Sequence, residues 1–205
     1  MRKIIVSTLT ALAAVSFASF AITPQEVMQQ TVAKIKGAKG IAGNFRAGGD
    51  QGSASGAFKF DGTRTYIESG QFGKQWFDGK TLWTLNPNTK EVTVSTPEPA
   101  DVADANPLIY LNGYSSSYRL FFSKRKEAGK YLVLLNPRNK NADIKAIEVA
   151  IDTKTLLPER FIVRTNDDQR STVYVTNLNL NAKLPQGTFT FPAAKYKDYE
   201  IVDIR

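Results

Sequence analysis

Gln71-Phe72-Gly73-Lys74-Gln75-Trp76-Phe77-Asp78-Gly79-Lys80-Thr81-Leu82-Trp83-Thr84-Leu85 has the pattern of two strands around a tight turn. Asp78-Gly79 is the strongest hairpin signal in the chain, because a tight turn that matches strand twist needs backbone conformations these two residues tolerate. It joins an outgoing strand, Gln71 to Phe77, to a returning one, Thr81 to Leu85. Upstream, Phe58 and Phe60 alternate with Ala57 and Lys59, Asp61-Gly62 turns, and Arg64 to Glu68 runs back. Downstream, Asn86-Pro87-Asn88 leads into Glu91 to Ser95. The C-terminal half repeats the pattern in Tyr131 to Leu135, Ile144 to Ile151, Glu159 to Thr165 and Arg170 to Leu180, with turns at Asn136 to Asn141 and Asn166-Asp167-Asp168. Arg119 to Ser123 reads equally as helix or strand, and Phe189 with Phe191 as a last short strand. About nine to eleven strands at turn spacings of roughly 8–12 residues predict a mainly β sandwich or barrel.

Outside the strands, one helix is announced. Thr23-Pro24-Gln25-Glu26 has the form of a capping box with Pro at the first helical position. Met28, Val32 and Ile35 then make an apolar stripe at helical spacing, and Gly37 is placed to end it. From Thr96 to Asn106 the chain reads as loop. Pro107-Leu108-Ile109-Tyr110-Leu111 is a short apolar segment that serves either as a core plug or as a lid.

The first 21 residues have the order of a secretory signal: Met1, Arg2 and Lys3, an apolar run from Ile4 to about Phe17, then Ser19-Phe20-Ala21 with small residues at the cleavage positions. Cleavage after Ala21 leaves residues 22–205 as a single domain, with no second stretch of spanning length. Cysteine is absent, so an exported chain must be held by burial alone and has no site for a lipid anchor. The net charge of +8 falls to +6 once Arg2 and Lys3 are removed. Its basic residues are dispersed, and the densest run, Lys124-Arg125-Lys126, stops at Glu127. No RNA-binding signature or zinc spacing accompanies them, so nucleic acid is not expected as a partner.

Histidine is absent too. That removes the commonest neutral-pH base, the Ser-His and Cys-His pairs and the usual zinc ligand. Asp167-Asp168 reads as a turn, Asp101 and Asp104 lack a calcium-loop pattern, and Ser115-Ser116-Ser117 lacks a nucleophile elbow. Gly48, Gly49 and Gly52 have no phosphate-loop frame. No catalytic residue, metal or cofactor is expected. What remains is apolar surface, including strands such as Leu132-Val133-Leu134-Leu135 that are apolar on both faces and demand cover on each. A barrel of this strand number often encloses a ligand cavity.

The run Asp78-Gly79-Lys80-Thr81-Leu82-Trp83-Thr84-Leu85-Asn86-Pro87 resembles a motif of the periplasmic outer-membrane lipoprotein carrier family, LolA. Asn106-Pro107-Leu108-Ile109 resembles its Pro-initiated lid segment. Asp167-Asp168-Gln169-Arg170-Ser171 and Thr188-Phe189-Thr190-Phe191-Pro192 resemble its last hairpin and closing strand. The resemblance implies a half-open antiparallel β-barrel closed by a helical lid, which shields lipoprotein acyl chains between the inner and outer membranes. It implies acylated lipoproteins as cargo, an inner-membrane exporter and an outer-membrane receptor as partners, and a monomer in the periplasm. On that reading Phe58, Phe60, Trp83, Leu85, Leu132 and Leu134 are the candidate wall of a lipid cavity. Met28, Val32, Ile35, Leu108, Ile109 and Leu111 are the candidate lid. The family's Arg-Pro pair, whose Arg latches the lid, aligns with Asp61-Gly62 here, and the nearest arginine is Arg64. A sensor or adaptor of the same fold acting on a membrane partner is the rival reading; a carboxylate hydrolase built on Asp167 and Asp168 is a third.

Overall fold

A computed structural model describes residues 22–50, 52–70, 73–97, 108, 111 and 113–205. The deciding hairpin forms as read. Asp78 Oδ1 accepts the backbone N–H groups of Lys80 at 2.9 Å and Thr81 at 2.8 Å, and Gly79 takes the positive φ, 102°, that the turn requires. The strands are β1 Ile41–Gly49, β2 Gly52–Phe60, β3 Thr65–Ser69, β4 Gly73–Phe77, β5 Leu82–Asn86, β6 Glu91–Ser95, β7 Tyr118–Phe122, β8 Lys130–Pro137, β9 Ile144–Asp152, β10 Pro158–Thr165, β11 Arg170–Asn179 and β12 Glu200–Asp203.

They form one 12-stranded sheet in the order β12-β6-β5-β4-β3-β2-β1-β11-β10-β9-β8-β7. Two antiparallel meanders, β1–β6 and β7–β11, meet where β1 pairs with β11. β12 alone pairs in parallel, returning along β6. The end strands β12 and β7 do not pair, so the barrel stays open. The strand total exceeds the nine to eleven expected because β1 was not legible: Gly43, Gly48 and Gly49 hide its alternation. Arg119 to Ser123 resolves as strand β7. Phe189 and Phe191 are not in a strand but in turns, with Thr188 N–H donating to Pro185 and Thr190 N–H to Gly187. Pro185, Gly187 at φ 83° and Pro192 break the ladder there. The last strand is β12 instead.

Register divides the sheet into two faces, since side chains alternate along each strand. Phe45 and Val175, Gly43 and Phe58, Phe58 and Ile67, and Ile67 and Gln75 are cross-strand partners and so share a face. Phe161, Val149 and Val133 continue it through β10, β9 and β8. Helix α1, Pro24–Lys36, lies on this face against β7 and β8. Its capping box is complete: Thr23 N–H donates to Glu26 Oε2 at 2.7 Å, and Glu26 N–H to Thr23 Oγ1 at 3.2 Å. The first bond, followed by the bond to the Thr23 side chain, holds the Glu26 carboxyl below its ordinary range. Met28, Val32 and Ile35 point into the sheet, as the stripe predicts. A second short helix, α2 Tyr114–Ser117, leads into β7.

Candidate functional site

Val27, Met28, Val32 and Ile35 of α1, together with Leu108 and Leu111, form one buried apolar cluster with Phe58, Ile67, Val133, Val149 and Phe161. Phe45, Phe60 and Phe122 pack against its margin. This surface is where the expected lid residues meet the expected wall. Met28, Val32, Ile35, Leu108 and Leu111 are brought together with Phe58 and Phe60; Ile109, with Asn106, Pro107 and Tyr110, lies outside the described residues. Toward the β10–β11 hairpin the same face opens into a cavity of about 460 Å³ lined by Ala47, Ala54, Ile144 and Val163 together with Asp50, Thr165 and Arg170.

The other four wall candidates are not brought to this face. Leu85 pairs with Lys74 and Trp83 with Trp76, one position out of step with the Gln75–Thr84 pair on the helix-bearing face. Leu132 and Leu134 likewise alternate with Val133 and Leu135. All four point to the opposite side of the sheet. There Trp76, Leu85 and Val92 make a second buried cluster. It is covered by Phe191, 5.4 Å from Trp76, and Tyr196, 6.0 Å from it, on the segment that returns to β12. This strap covers the Trp76, Leu85 and Val92 cluster but not Leu132 and Leu134, and the strand reading of Phe189 and Phe191 concealed it. Sequence periodicity placed each residue in its strand; it could not say which parity faced the helix.

The helix-bearing face turns polar beyond Ile67. Thr65 Oγ1 and Ser69 Oγ, on either side of Ile67 in β3, are buried with no hydrogen-bond partner. Leaving such groups unpaired costs roughly 1–3 kcal/mol each. Gln75, Thr84 and Thr93 continue that polar character across β4–β6.

Arg64 is held at the β2–β3 turn. Its Nε donates to Asp61 Oδ2 at 2.8 Å, its backbone N–H to Asp61 Oδ1 at 2.9 Å, and its guanidinium lies 4.9 Å over the Phe189 ring. Burial pushes the Asp61 carboxyl up, but its bonds to Arg64 prevail and hold it below the ordinary range. Arg64 therefore fastens the strap to the β2–β3 turn. Helix α1 is tied near its C-terminal end, where Lys34 Nζ donates to the Thr155 carbonyl at 2.7 Å.

Asp167 and Asp168 sit in the β10–β11 turn. Asp167 accepts the Thr165 hydroxyl, which lowers its pKa, and Asp168 pairs with Lys145 at 2.5 Å. Both are exposed, Asp167 bonded within the turn and Asp168 paired with β9. Among the described residues no cluster of His, Cys, Asp and Glu is placed to hold a metal ion, and no helix is long and apolar enough to cross a membrane.

An open antiparallel sheet with an amphipathic helix packed on one apolar face is the arrangement the sequence motifs implied. The family model of the outer membrane lipoprotein carrier protein LolA matches residues 14–167. The chain belongs to that family. It is 27% identical over 118 residues to the outer-membrane lipoprotein carrier protein of Pasteurella multocida strain Pm70, covering 58% of this chain and 55% of that protein. It is 28% identical over 118 residues to the carrier of Pectobacterium carotovorum subsp. carotovorum strain PC1, with coverage of 58% and 55%. The matched stretch thus spans a little over half the length of these relatives. An uncharacterized conserved protein from Thermus thermophilus has the same fold, with a TM-score of 0.57 at 13% identity over 85% of this chain and 98% of that one. The LolA match stops at Asp167, so β11 and the strap lie beyond it.

Proposed function

We propose that this LolA-family chain is a periplasmic carrier that shields lipoprotein acyl chains and moves them from the inner to the outer membrane, without catalysing a reaction. One observation carries the reading: an amphipathic helix whose whole apolar stripe is buried on one face of an unclosed sheet. Such a helix can be exchanged for acyl chains with little net change in buried apolar area. Each CH₂ removed from water contributes about 0.8 kcal/mol, so several chain segments under α1 offset its displacement.

The proposed cargo surface is Phe58, Phe60 and Phe45 with the open cavity beside Ala47 and Val163, beneath a lid of Met28, Val32, Ile35, Leu108 and Leu111. Thr65 and Ser69 are the proposed donors to the ester carbonyls of the acyl chains. The polar stretch over β4–β6 keeps affinity moderate, which handover to a receptor requires. Export by the N-terminal signal, the partnership with an inner-membrane exporter and the receptor belong to the same proposal.

The test is binding of a triacylated lipopeptide and of its unacylated form to the delipidated protein. A carrier binds the first at least 100-fold more tightly; equal binding of the two ends the proposal.

A further inference from the structure

The face opposite α1 carries a second concavity, of about 540 Å³, at the β7–β10 end of the sheet. Its floor is apolar: Phe121, Leu134, Ala146 and Ile162. Phe121 is 48% exposed, one of few large apolar side chains so open to solvent. Its rim is basic, formed by Lys124, Arg125 and Arg164. Arg119 stands across the ladder from Asn136, another lining residue, and so extends the charge along the same face. The one carboxylate in the groove is already engaged: Ser123 Oγ donates to Glu148 Oε2 at 2.8 Å, and Arg125 Nη1 stands 3.6 Å from Glu148 Oε1. Lys124, Arg119 and Arg164 form no salt bridge among the described residues. At the far end of the sheet the equivalent apolar patch is covered by the strap; here no described segment crosses the groove.

We propose that this groove and the Lys124-Arg125-Lys126 loop dock the protein on an anionic phospholipid bilayer. The charge pattern selects that occupant. Unpaired cations spread over a hairpin tip and two strands suit a surface of mobile phosphate headgroups, which needs no shape match. The exposed Phe121 supplies apolar contact at headgroup depth. The groove floor lies on the face away from α1, while Arg125 and Lys126 line a smaller hollow with Ile22, just ahead of the helix; the inference holds whether or not α1 admits acyl chains.

Flotation of the protein purified after export tests it, with vesicles of phosphatidylglycerol mixed into phosphatidylcholine and with pure phosphatidylcholine vesicles. The expected result is association with the anionic vesicles only, falling steeply as salt shortens the Debye length. Each basic residue near such a surface contributes about fivefold in partition (~1 kcal/mol). Lys124→Gln with Arg164→Gln should therefore lower the partition coefficient roughly 25-fold. Phe121→Ser should lower it several-fold at unchanged charge. Lys80→Gln with Lys183→Gln, on the β4–β5 turn and the strap, removes the same charge elsewhere and should leave it within about twofold, as distance and screening dictate. Equal losses from the two double variants would reduce the effect to net charge and overturn the proposal. Absence of flotation with either vesicle would also overturn it, leaving the groove to an acidic protein partner.

Discussion

Truncating Met28 separates a lid from a wall. Met28 is fully buried on α1 in the main cluster, and Met→Ala at such a site costs about 2–5 kcal/mol: lost transfer energy plus the cavity left behind. A loss of about 3 kcal/mol lowers the melting temperature by about 6–12 °C for a domain of this size. If α1 is a lid, acyl chains replace the contacts it loses on opening. A flexible chain also fills the space the missing side chain leaves. The closed state then loses both contributions while the loaded state loses only the transfer part. The difference is the cavity contribution, about 1–2 kcal/mol. Opening becomes easier by that amount, and lipopeptide affinity should rise about 5–30-fold while thermal stability falls. Calorimetric binding of the triacylated lipopeptide, alongside thermal melts, measures both, with the exposed Gln29→Ala as control. Affinity that falls in step with stability would refute the lid and make α1 part of a fixed core.

Four further outcomes follow from the same geometry. Ser69→Ala and Thr65→Val each remove a buried hydroxyl without a partner, so stability at rest should rise or stay level by denaturant midpoint, while lipopeptide affinity drops about threefold to tenfold per lost bond; unchanged affinity removes both from the site. Arg64→Ala frees the strap over Phe189 and should cost about 1 kcal/mol in urea unfolding, with lipopeptide binding unaffected, whereas a loss of binding would restore Arg64 as a lid latch. Deleting residues 189–205 uncovers Trp76, which is 4% exposed, so tryptophan emission should shift to the red, and an unshifted spectrum would contradict the strap. For pH, Asp152 is held well below the carboxylate range by the Thr155 N–H first and the Lys130 ammonium next, and Glu127 is lowered by Arg160. Their folded pKa values lie below the unfolded ones, so their contribution is complete above about pH 5 and lost as pH falls through the folded values. With no histidine in the chain, the urea midpoint should be flat from about pH 5.5 to 8 and decline below about pH 4; a step near pH 6.5 would contradict this.

The hairpins, the capped helix and the turn at Asp167-Asp168 were legible because each is written locally, in Asp-Gly pairs, a capping box or alternation over a few residues. β1 was not, although it joins the two meanders. Gly49 gives part of the reason: a Cβ there would stand 2.4 Å from the Arg170 carbonyl oxygen, so close approach of β11 removes a side chain that would have signalled a strand. Met28, Val32 and Ile35 came out on one face because a helical stripe has one apolar side. The wall candidates split because a strand apolar on both faces, such as 132–135, gives no local sign of which parity meets the helix. That choice is made by register across the sheet, and on the far side by a strap whose Phe189 and Phe191 alternate like a strand.

In the proposed carrier, acyl chains lie on the α1 side of the sheet. A lipopeptide carrying a photoactivated diazirine in one acyl chain, crosslinked to the protein and mapped by mass spectrometry, tests it directly. The expected labels fall on Met28, Ile35, Phe45, Phe58 and Phe60. Labels concentrated on Phe121, Leu134 and Ile162 across the sheet, or on Trp83 beneath the strap, would contradict it.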